Sequence, residues 1–517
     1  MPLKKKKFSI VQDNMVNAID INDNKGRSIP INMNFIENGY LTKDTGFSLS
    51  GTTETTSIHS LFNFEKKDGT SFFLRVKDNY LQKFNTSTNL WENTSKTVTA
   101  GAKFGYITDS AGDVMYACNA VDSMWKFDGT TFTDYASSPK GNILEIFEDK
   151  LYVAGVTTEP RSVYYSNSGV LTTFTGTDVF KPLGTDKITS LKNYYGFLIV
   201  FKEKSIWKVS RVQDTLGTYY NKQELQSGNY GACSTKAVSW VENDIWFFTG
   251  KEVRAFGFKD QQTGVLGINS SVLSEQIKES LTNINQSNFS NVVCWYNNRR
   301  FYLSVGISSS TTTNDTLFVC HTLYNNSWTK YLDRDKSKCS ELFSINNVMY
   351  SVKNVTPFSV IKWNDSLIND NGVAISSQVT FKKIEDKDFN LFNIYRYLDL
   401  MFKNLQAKIT ITIYQDKADL RTTMGKVFYI GLGTNDMLAT TGQVPFGENL
   451  VGDGFGQNPE SSPFIKRRVS FLSKAQSITV QLSNSGLNDV FTICQFAVTG
   501  MKETKETFSP DGIVSVK

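Results

Sequence analysis

The residues of this sequence that could carry out acid–base or metal chemistry are few and far apart. Only two of its 517 residues are histidines, His59 in SIHSLF and His321 in VCHTLY, and both lie in apolar, strand-like stretches. A zinc site built on several histidines is therefore excluded, and a nucleophile–histidine–acid triad would need one of these two. We expect both histidines to be structural. The six cysteines include no CxxC pair, so we expect buried, reduced thiols.

Carboxylates are the remaining candidates, because an acid and a nucleophile or base about 5 to 10 Å apart can hydrolyse a glycosidic bond. The acids in predicted turns that could face a central channel are Asp68, Asp109, Asp113, Asp128 and Asp244. An aspartate in such a turn more often stabilises the turn itself. GLG (residues 431–433) lacks the third glycine of a dinucleotide loop, and GDGFG (residues 452–456) has too few acids for a calcium loop. We predict no catalytic residue, no cofactor and no metal site.

Aromatic hairpins recur along most of the chain, and they are the elements that would position any site. The stretch VENDIWFFTGKEVRAFGF (residues 241–258) predicts two strands joined by a turn around Gly250. Seven such units occur at intervals of 37 to 56 residues, and their first strands align at Phe72, Val114, Leu151, Phe197, Ile245, Phe301 and Val348. A propeller blade of four strands occupies roughly 40 to 50 residues. We predict an all-β chain with a β-propeller of six to eight blades, seven favoured, over residues 50–369.

Unrelated β-meanders are the alternative to a propeller, because aromatic strands with Asn or Asp turns occur in every all-β protein. The sequence contains no Gly-His to Trp-Asp pairing, no double-glycine kelch pattern and no sialidase box. We therefore predict a divergent propeller in which Trp246 is buried between blades.

The pattern changes after about Asp370. Segments such as AKITITIYQD and SITVQLSNS alternate apolar and polar residues, which indicates strands with one buried face. We predict an antiparallel β-sandwich over residues 370–517, and an N-terminal arm with strands in residues 1–49. Within the sandwich, residues 421–465 contain eight glycines and predict a long loop.

The glycine-rich loop is costly to order alone, because glycine loses the most backbone freedom on folding. We therefore expect it to order against a neighbouring subunit or an adaptor protein. Its apolar anchors would be Phe428, Phe446, Leu450, Val451 and Phe455.

The net charge of +5 and the 20% share of charged residues indicate no general attraction to nucleic acid or membrane. The one basic cluster consists of Lys4, Lys5, Lys6 and Lys7. These lysines could contact DNA or a partner, although a solvated terminus is the favoured interpretation. No apolar run approaches 18 residues, so we expect no membrane insertion, and we expect no secretion signal.

Three regions together resemble a family of bacteriophage virion proteins. They are the N-terminal segment with NFIENGYLTKDTGF (residues 34–47), the degenerate propeller, and the C-terminal region with KRRVSF, SITVQLSNS and DVFTICQFAVTG. The pattern is similar to the tail nozzle or tail tubular proteins of short-tailed phages and to the related packaged-DNA-stabilising plugs. In that group an early strand runs into a glycine-containing turn, similar to Gly39, Lys43 and Gly46 here. Tubular nozzle proteins are often longer, so this chain would be a compact or plug-like form.

The resemblance implies a structural virion protein, not an enzyme, that assembles in the bacterial cytoplasm into a homohexameric ring in the phage tail. Its partners would be the portal or adaptor, other tail proteins, and the double-stranded DNA that the ring retains and later releases. A glycan- or receptor-binding propeller is the alternative, with Trp125, Trp207, Trp246 or Trp363 as sugar platforms. A polysaccharide hydrolase is less favoured, because the sequence boxes of such enzymes are missing.

Overall fold

The computed structural model of the chain consists almost entirely of antiparallel β-strands. It describes residues 4–12, 15, 29–216, 219–260, 265–269, 271–307, 312–385, 393–417, 420–430, 465–475, 477–504, 507–508 and 514–515. The chain divides into two units. Unit 1 comprises Met1–Gly46, Cys320–Leu332 and Asp365–Lys517, and unit 2 comprises Phe47–Val319 and Asp333–Asn364.

Four strands precede the first propeller sheet: β1 (Lys4–Gln12), β2 (Met33–Ile36), β3 (Tyr40–Lys43) and β4 (Phe47–Leu49). The first sheet contains β5 (Ile58–Glu65), β6 (Ser71–Lys77), β7 (Tyr80–Asn85) and β8 (Leu90–Thr97). The second contains β9 (Gly105–Asp109), β10 (Val114–Cys118), β11 (Met124–Phe127) and β12 (Phe132–Tyr135). The third contains β13 (Ile143–Phe147), β14 (Lys150–Ala154), β15 (Val163–Tyr165) and β16 (Val179–Phe180).

The fourth sheet contains β17 (Ile188–Tyr194), β18 (Phe197–Lys202), β19 (Ile206–Gln213) and β20 (Tyr219–Ser227). The fifth contains β21 (Val238–Val241), β22 (Asp244–Phe248), β23 (Val253–Asp260) and β24 (Val265–Ile268). The sixth contains β25 (Val293–Asn297), β26 (Arg300–Val305), β27 (Thr316–His321) and β28 (Ser327–Tyr331). The seventh sheet contains β29 (Cys339–Ile345), β30 (Val348–Lys353), β31 (Ser359–Trp363) and β4. The division into units assigns the end of β27 and all of β28 to unit 1.

The C-terminal strands are β32 (Ser377–Thr380), β33 (Ile384–Glu385), β34 (Asn393–Gln406), β35 (Ile409–Lys417), β36 (Leu420–Ile430), β37 (Ile465–Ala475), β38 (Ser477–Asn484), β39 (Val490–Thr504), β40 (Thr507–Phe508) and β41 (Val514–Ser515). Apart from Met15, which is helical, the described residues contain one helix, α1 (Lys278–Thr282), and short 3₁₀ turns at Glu37–Gly39, Glu275–Ile277, Gln286–Asn291 and Asp335–Ser337.

The seven sheets confirm the prediction of a β-propeller with seven blades. Each predicted hairpin forms the second and third strands of one sheet, for example β22 and β23. Turn chemistry explains the register at several inner hairpins, because both turn residues have positive φ, as in Asn298 (47°) with Arg299 (59°) and Asn346 (48°) with Asn347 (64°). This is the backbone that two-residue hairpins require and that asparagine tolerates.

The ring closes through the N-terminal strand β4, which completes the seventh sheet. Leu49, Ser48 and Phe47 lie opposite Ile361, Lys362 and Trp363 of β31. Backbone pairing continues beyond β4, since the Ser50 amide donates to the Val360 carbonyl at 2.9 Å and residues 54 and 358 form a further bridge. The last sheet therefore has no free outer edge along β31.

A charged network joins this closing segment to the first sheet. The Glu54 carboxylate pairs with Arg75 of β6, which is 1% exposed, and accepts a hydrogen bond from Lys77 Nζ at 2.6 Å. The Trp91 indole N–H donates to the Ser50 carbonyl at 2.8 Å, and the Arg75 guanidinium lies 4.5 Å from the Trp91 ring centroid. Burial raises the pKa of Glu54, but the hydrogen bonds from Lys77 and Arg75 outweigh it, so the pKa lies below its ordinary value.

Aromatic and aliphatic side chains fill the spaces between neighbouring sheets. Phe73 of the first sheet contacts Phe343 of the seventh at a centroid distance of 5.3 Å. Trp246 of the fifth sheet is 6% exposed and lies 5.2 Å from Phe301 of the sixth, which confirms its predicted burial between blades. Trp125 is fully buried in the cluster shared by the first and second sheets. The predicted sugar-platform tryptophans 125, 207, 246 and 363 are thus all core residues, 0 to 9% exposed.

Unit 1 contains two antiparallel sheets that share one hydrophobic core. One has the order β2-β3-β39-β34-β37 with β1 beside β39, and the other has the order β32-β38-β35-β36 with β33 beside β38. Phe35 and Leu41 lie in the same buried cluster as Ile411, Val480 and Ile493. The strands β2 and β3 of the predicted N-terminal arm therefore contribute apolar side chains to this core. A sandwich remains our interpretation of the two sheets.

The predicted loop 421–465 also begins too early. Leu420–Ile430 is strand β36, and Phe428 lies opposite Ile411 of β35. The glycine at position 425 does not prevent pairing with β35, which extends on both sides of it. The remaining predicted loop residues, 431–464, lie outside the described residues.

Replacing Trp246 by alanine should lower the free energy of unfolding by about 3 to 5 kcal/mol, because it removes a buried indole from the contact between two sheets. The matched control is Trp240→Ala, which removes an indole from the neighbouring strand of the same sheet that is 38% exposed. Urea unfolding followed by circular dichroism measures both. Equal losses in the two variants would contradict the assigned burial.

Glu54→Gln should lower the free energy of unfolding by roughly 2 to 4 kcal/mol, because it leaves the buried Arg75 charge without its partner. Glu159→Gln is the control, since its pair with Lys181 is exposed (46% and 53%) and solvent screening should leave it a much smaller contribution to stability. Thermal unfolding compares the two, and a Glu54→Gln protein as stable as the control would show that this network does not support closure.

Candidate functional site

The first strands of the seven sheets line one cavity of about 430 Å³. Each sheet begins with its inner strand, so these strands run in the same direction along the propeller axis. The polar groups that meet there include Glu145, Lys192, Lys236 and Glu341, and the aromatic residues include Trp240, Trp295 and Tyr296. This channel is the described part of the chain where charged and aromatic side chains converge, and it is the candidate functional site.

Polar contacts cross the channel at the end where the inner strands begin. Lys103, just before the second sheet, donates to the Ser290 carbonyl at 3.1 Å and to the Asn291 side chain, both just before the sixth sheet. Lys236, before the fifth sheet, forms an ion pair with the buried Glu341 of the seventh. Both contacts connect sheets that are not neighbours in the ring, so this end of the channel is closed by side chains.

Burial sets the protonation behaviour at the closed end. It lowers the pKa of Lys103, an effect that Glu341 opposes and Lys236 reinforces. Burial also raises the pKa of Tyr106 to about 12, and the negative charge of Glu341 adds to this shift. The tyrosine therefore stays neutral, and the negative charge of Glu341 partly offsets the cost of burying the Lys103 ammonium group.

Aromatic side chains surround the other end, where the inner strands run into their turns. The Trp240 ring stacks on Tyr194 with a centroid distance of 5.2 Å and an interplanar angle of 20°. Tyr195 lies edge-on to Trp240 at 6.4 Å and is 55% exposed. The Tyr296 hydroxyl donates to Glu242 Oε1 at 3.0 Å. This end is therefore open and carries rings that solvent can reach.

Glu145 lies on the wall of the cavity and is the most strongly shifted acid there. Desolvation raises its pKa from 4.5 to about 7, while the positive charge of Lys192 and the backbone amides of Asn193 and Ile146 oppose the rise. Lys192 belongs to the next sheet and also lines the cavity. Near neutral pH the Glu145 carboxyl can therefore both donate and accept a hydrogen bond.

Four of the five acids proposed from sequence accept hydrogen bonds from backbone amides. Asp68 and Asp109 accept hydrogen bonds from the backbone amides of Thr70 (2.8 Å) and Ala111 (2.9 Å). Asp128 accepts from two amides in the same way, and Asp113 accepts from the Lys67 amide at 2.8 Å. Burial, reinforced by Glu242, raises the pKa of Asp244. None of these five is among the described residues that line the cavity.

The two histidines lie apart from the channel wall. His321 is 1% exposed, and its Nε2 lies 3.1 Å from the Thr329 hydroxyl. His59 is half-buried, with Nε2 3.1 Å from the Ser57 hydroxyl. All six cysteines are free thiols. Among the described residues, no cluster of three His, Cys, Asp or Glu side chains could hold a metal ion, and no helix is long and apolar enough to cross a membrane.

Some of the residues predicted to contact DNA or a partner lie in the described part of the chain, and others lie outside it. Lys4, Lys5, Lys6 and Lys7 begin strand β1, whose backbone pairs with β39 from Lys4 opposite Thr504 to Gln12 opposite Phe496. The backbone of these four lysines is therefore paired within a sheet. Phe428 is half-buried against the core of unit 1. Phe446, Leu450, Val451 and Phe455 lie outside the described residues, and contacts to DNA, a subunit or an adaptor stay predictions.

Sequence reasoning missed the residues that line the channel. Glu145 in ILEIF and Lys192 in ITSLKNY are single charges within apolar inner strands. A charged residue in such a strand was the signal that could have identified these two residues, because a charge must be paired or reach water. Trp240 in VSWV carried no signal that separates it from the buried tryptophans.

No protein-family model matches this chain, and no curated protein matches it. Among solved structures, YCF48 from Cyanidioschyzon merolae is 9% identical with a TM-score of 0.40, over 62% of this chain and 99% of that chain. Raptor from Chaetomium thermophilum is 9% identical with a TM-score of 0.39, over 62% and 30%. The WD40 domain of Neurospora crassa Pan2 is 8% identical with a TM-score of 0.34, over 61% and 95%. These likenesses concern the fold and carry no function to this chain.

The stability of the wild-type protein relative to Glu145→Gln should fall as pH rises from about 4.5 to 7. A carboxyl whose pKa is raised in the folded state binds its proton more tightly there than in the unfolded chain, so its ionisation destabilises the fold. Above pH 7 the variant should be more stable than wild type by roughly 1 to 3 kcal/mol. Urea unfolding at pH 4 and pH 8 tests this, and a pH-independent difference between the two proteins would refute the assignment.

Proposed function

We propose that this protein is a structural virion protein of a short-tailed bacteriophage. Copies of it form a ring, a nozzle or plug at the distal end of the head-to-tail connector, which retains packaged DNA and forms the conduit for its ejection. The sequence resemblance motivates this assignment. The propeller supports it, because packing between sheets and the closing strand β4 give a rigid scaffold whose outer strands are free to make contacts.

A DNA conduit would have to lie between several copies of the chain. The channel of one propeller is about 430 Å³ and is crossed by the contacts of Lys103 and Lys236. Cavities of roughly 300 to 1,000 Å³ hold small molecules, so a duplex cannot pass through a single propeller. A ring of copies, with six expected from the resemblance, supplies the wider opening.

The observation that carries the proposal is an exposed apolar hairpin at the outer edge of the fourth sheet. Strands β19 and β20 and their turn present four large, solvent-exposed side chains: Leu216 (89%), Leu225 (53%), Tyr219 (57%) and Tyr220 (49%). Single exposed apolar residues are ordinary, but a group on an edge strand is typical of a protein contact. We assign the described residues of this hairpin, 206–216 and 219–227, as a contact between copies or with a neighbouring tail protein.

The weak net charge is compatible with a conduit. Each phosphate that a protein neutralises adds a salt-dependent increment to DNA affinity. A net charge of +5 over 517 residues gives no strong general attraction, so DNA could move through the ring.

The double variant Leu216→Asp/Tyr219→Ser should prevent ring formation without changing the melting temperature, because both side chains are exposed in the single chain. Negative-stain imaging and mass photometry of the purified protein at several concentrations measure assembly. Val121→Asp, in the connection between β10 and β11 of the second sheet and 48% exposed in the wild type, is the control and should leave the rings intact. Rings in the double variant would exclude the hairpin as the contact, and no ring at any wild-type concentration or in virions would exclude the proposed function.

A glycan- or receptor-binding propeller is the second candidate function. The tryptophans first considered as sugar platforms are buried in the blades, so they cannot serve it. The aromatic residues at the open end of the channel are the observation that favours this second function.

A further inference from the structure

We propose that the open end of the propeller channel is a binding site for one pyranose ring of a carbohydrate, stacked on Trp240. The site would use Trp240 and Tyr195 as its aromatic surface, and Glu145 and Lys192 as its polar groups. This inference does not depend on ring assembly, because every residue it uses belongs to one propeller.

Trp240 has the geometry of a fixed stacking platform. One face of its ring is covered by Tyr194, and the ring still lines the cavity and is 38% exposed. Tyr194 is itself buried, and its hydroxyl donates to the Asn243 carbonyl at 2.9 Å. The indole is therefore held in place by a buried ring, and its exposed surface lies on the wall of the cavity.

Tyr195 extends this surface beyond the channel wall. Its ring lies edge-on to Tyr194 at 4.8 Å and 5.4 Å from Phe258, and its backbone has a positive φ of 44° in the turn after β17. Tyr195 is 55% exposed and its ring contacts Trp240 of the cavity wall, so it presents an apolar ring and a hydroxyl to solvent next to the cavity. Aromatic rings presented to solvent beside a cavity are typical of binding sites.

The polar groups favour a neutral ligand that both donates and accepts hydrogen bonds. Glu145 and Lys192 come from the neighbouring third and fourth sheets and line the same cavity. An anion would meet the Glu145 carboxyl when it is ionised, and a cation would meet Lys192. A purely apolar ligand would bury both without partners, which is costly. Sugar hydroxyls match both groups, while the C–H face of a pyranose matches the negative face of an indole.

The closed end limits the size of the ligand. The Lys103 and Lys236 contacts block the channel beyond the binding end, so a ligand enters from one side only. A cavity of about 430 Å³ lies near the lower end of the roughly 300 to 1,000 Å³ found for small-molecule sites. The end of a glycan can enter, with the rest of the chain extending past Tyr195 into solvent.

Saturation-transfer difference NMR on the purified full-length chain tests the site. The probes are the methyl glycosides of glucose, galactose, mannose and N-acetylglucosamine, each at millimolar concentration, with tetramethylammonium chloride as a cationic probe. At least one glycoside should show saturation transfer, strongest at the ring C–H protons. Trp240→Ala should weaken its binding by at least about tenfold, and Trp240→Phe should retain most of it, because a smaller aromatic ring still stacks.

Tyr80→Ala is the matched control, because it removes a tyrosine that is 41% exposed at the start of β7 in the first sheet, outside the residues that line the cavity, and should leave binding unchanged. Circular dichroism establishes that each variant is folded. No transfer to any of the four glycosides, equal binding by wild type and Trp240→Ala, or transfer to tetramethylammonium alone would each overturn the proposal. If the wild-type protein bound a glycoside but formed no rings, that result would contradict the proposed virion assembly and leave the carbohydrate site supported.

Discussion

The pairing of an N-terminal segment with the last sheet is the constraint on which the propeller depends. Residues 47–54 add a strand to β31 and extend that pairing to position 358. The two partners are about 300 positions apart in the chain, so this contact brings together the first and last parts of unit 2 and leaves no open sheet edge between them. Glu54, Arg75 and Trp91 then tie the same segment to the first sheet. Closure thus rests on backbone pairing, an ion pair and aromatic packing at one place.

The candidate site follows from this closure. The inner strands can line a single cavity only when all seven sheets complete the ring, and contacts such as Lys103 to Ser290 connect sheets on opposite sides of it. The elevated pKa of Glu145 has the same origin, because the surrounding sheets remove its carboxyl from bulk water. The scaffold and the site are therefore one physical system: what stabilises the ring also fixes the geometry of Trp240 and Lys192.

The hairpins could be predicted from the sequence because their information is local. Alternating aromatic strands, and Asn or Asp in turns such as Asn346–Asn347, specify a two-stranded unit without reference to distant residues. The closing strand could not be predicted in this way, since nothing in FSL at residues 47–49 identifies its partner at 361–363. The place of β2 and β3 in the core of unit 1 was missed for the same reason, because β39, the sheet partner of β3, lies more than 440 positions away.

The candidate site depends on burial that sequence alone does not show. Trp240 and Trp246 are six positions apart, yet one faces the cavity and the other contacts Phe301 in the next blade. The position in the sheet, and not the residue type, determines which of the two tryptophans faces the cavity. Glu145 carried a local signal as a charge in an apolar strand. That Lys192 lines the same cavity could not be predicted, because it depends on the packing of the fourth sheet beside the third.

Native-state hydrogen exchange tests ring closure most directly. Peptides that cover residues 47–54 and 358–363 should exchange as slowly as those of the central strands β18 and β22, and with the same denaturant dependence, because these amides open only when the whole propeller unfolds. Fast exchange of both segments, while β18 and β22 stay protected, would show that the ring opens at the seventh sheet and would contradict the account.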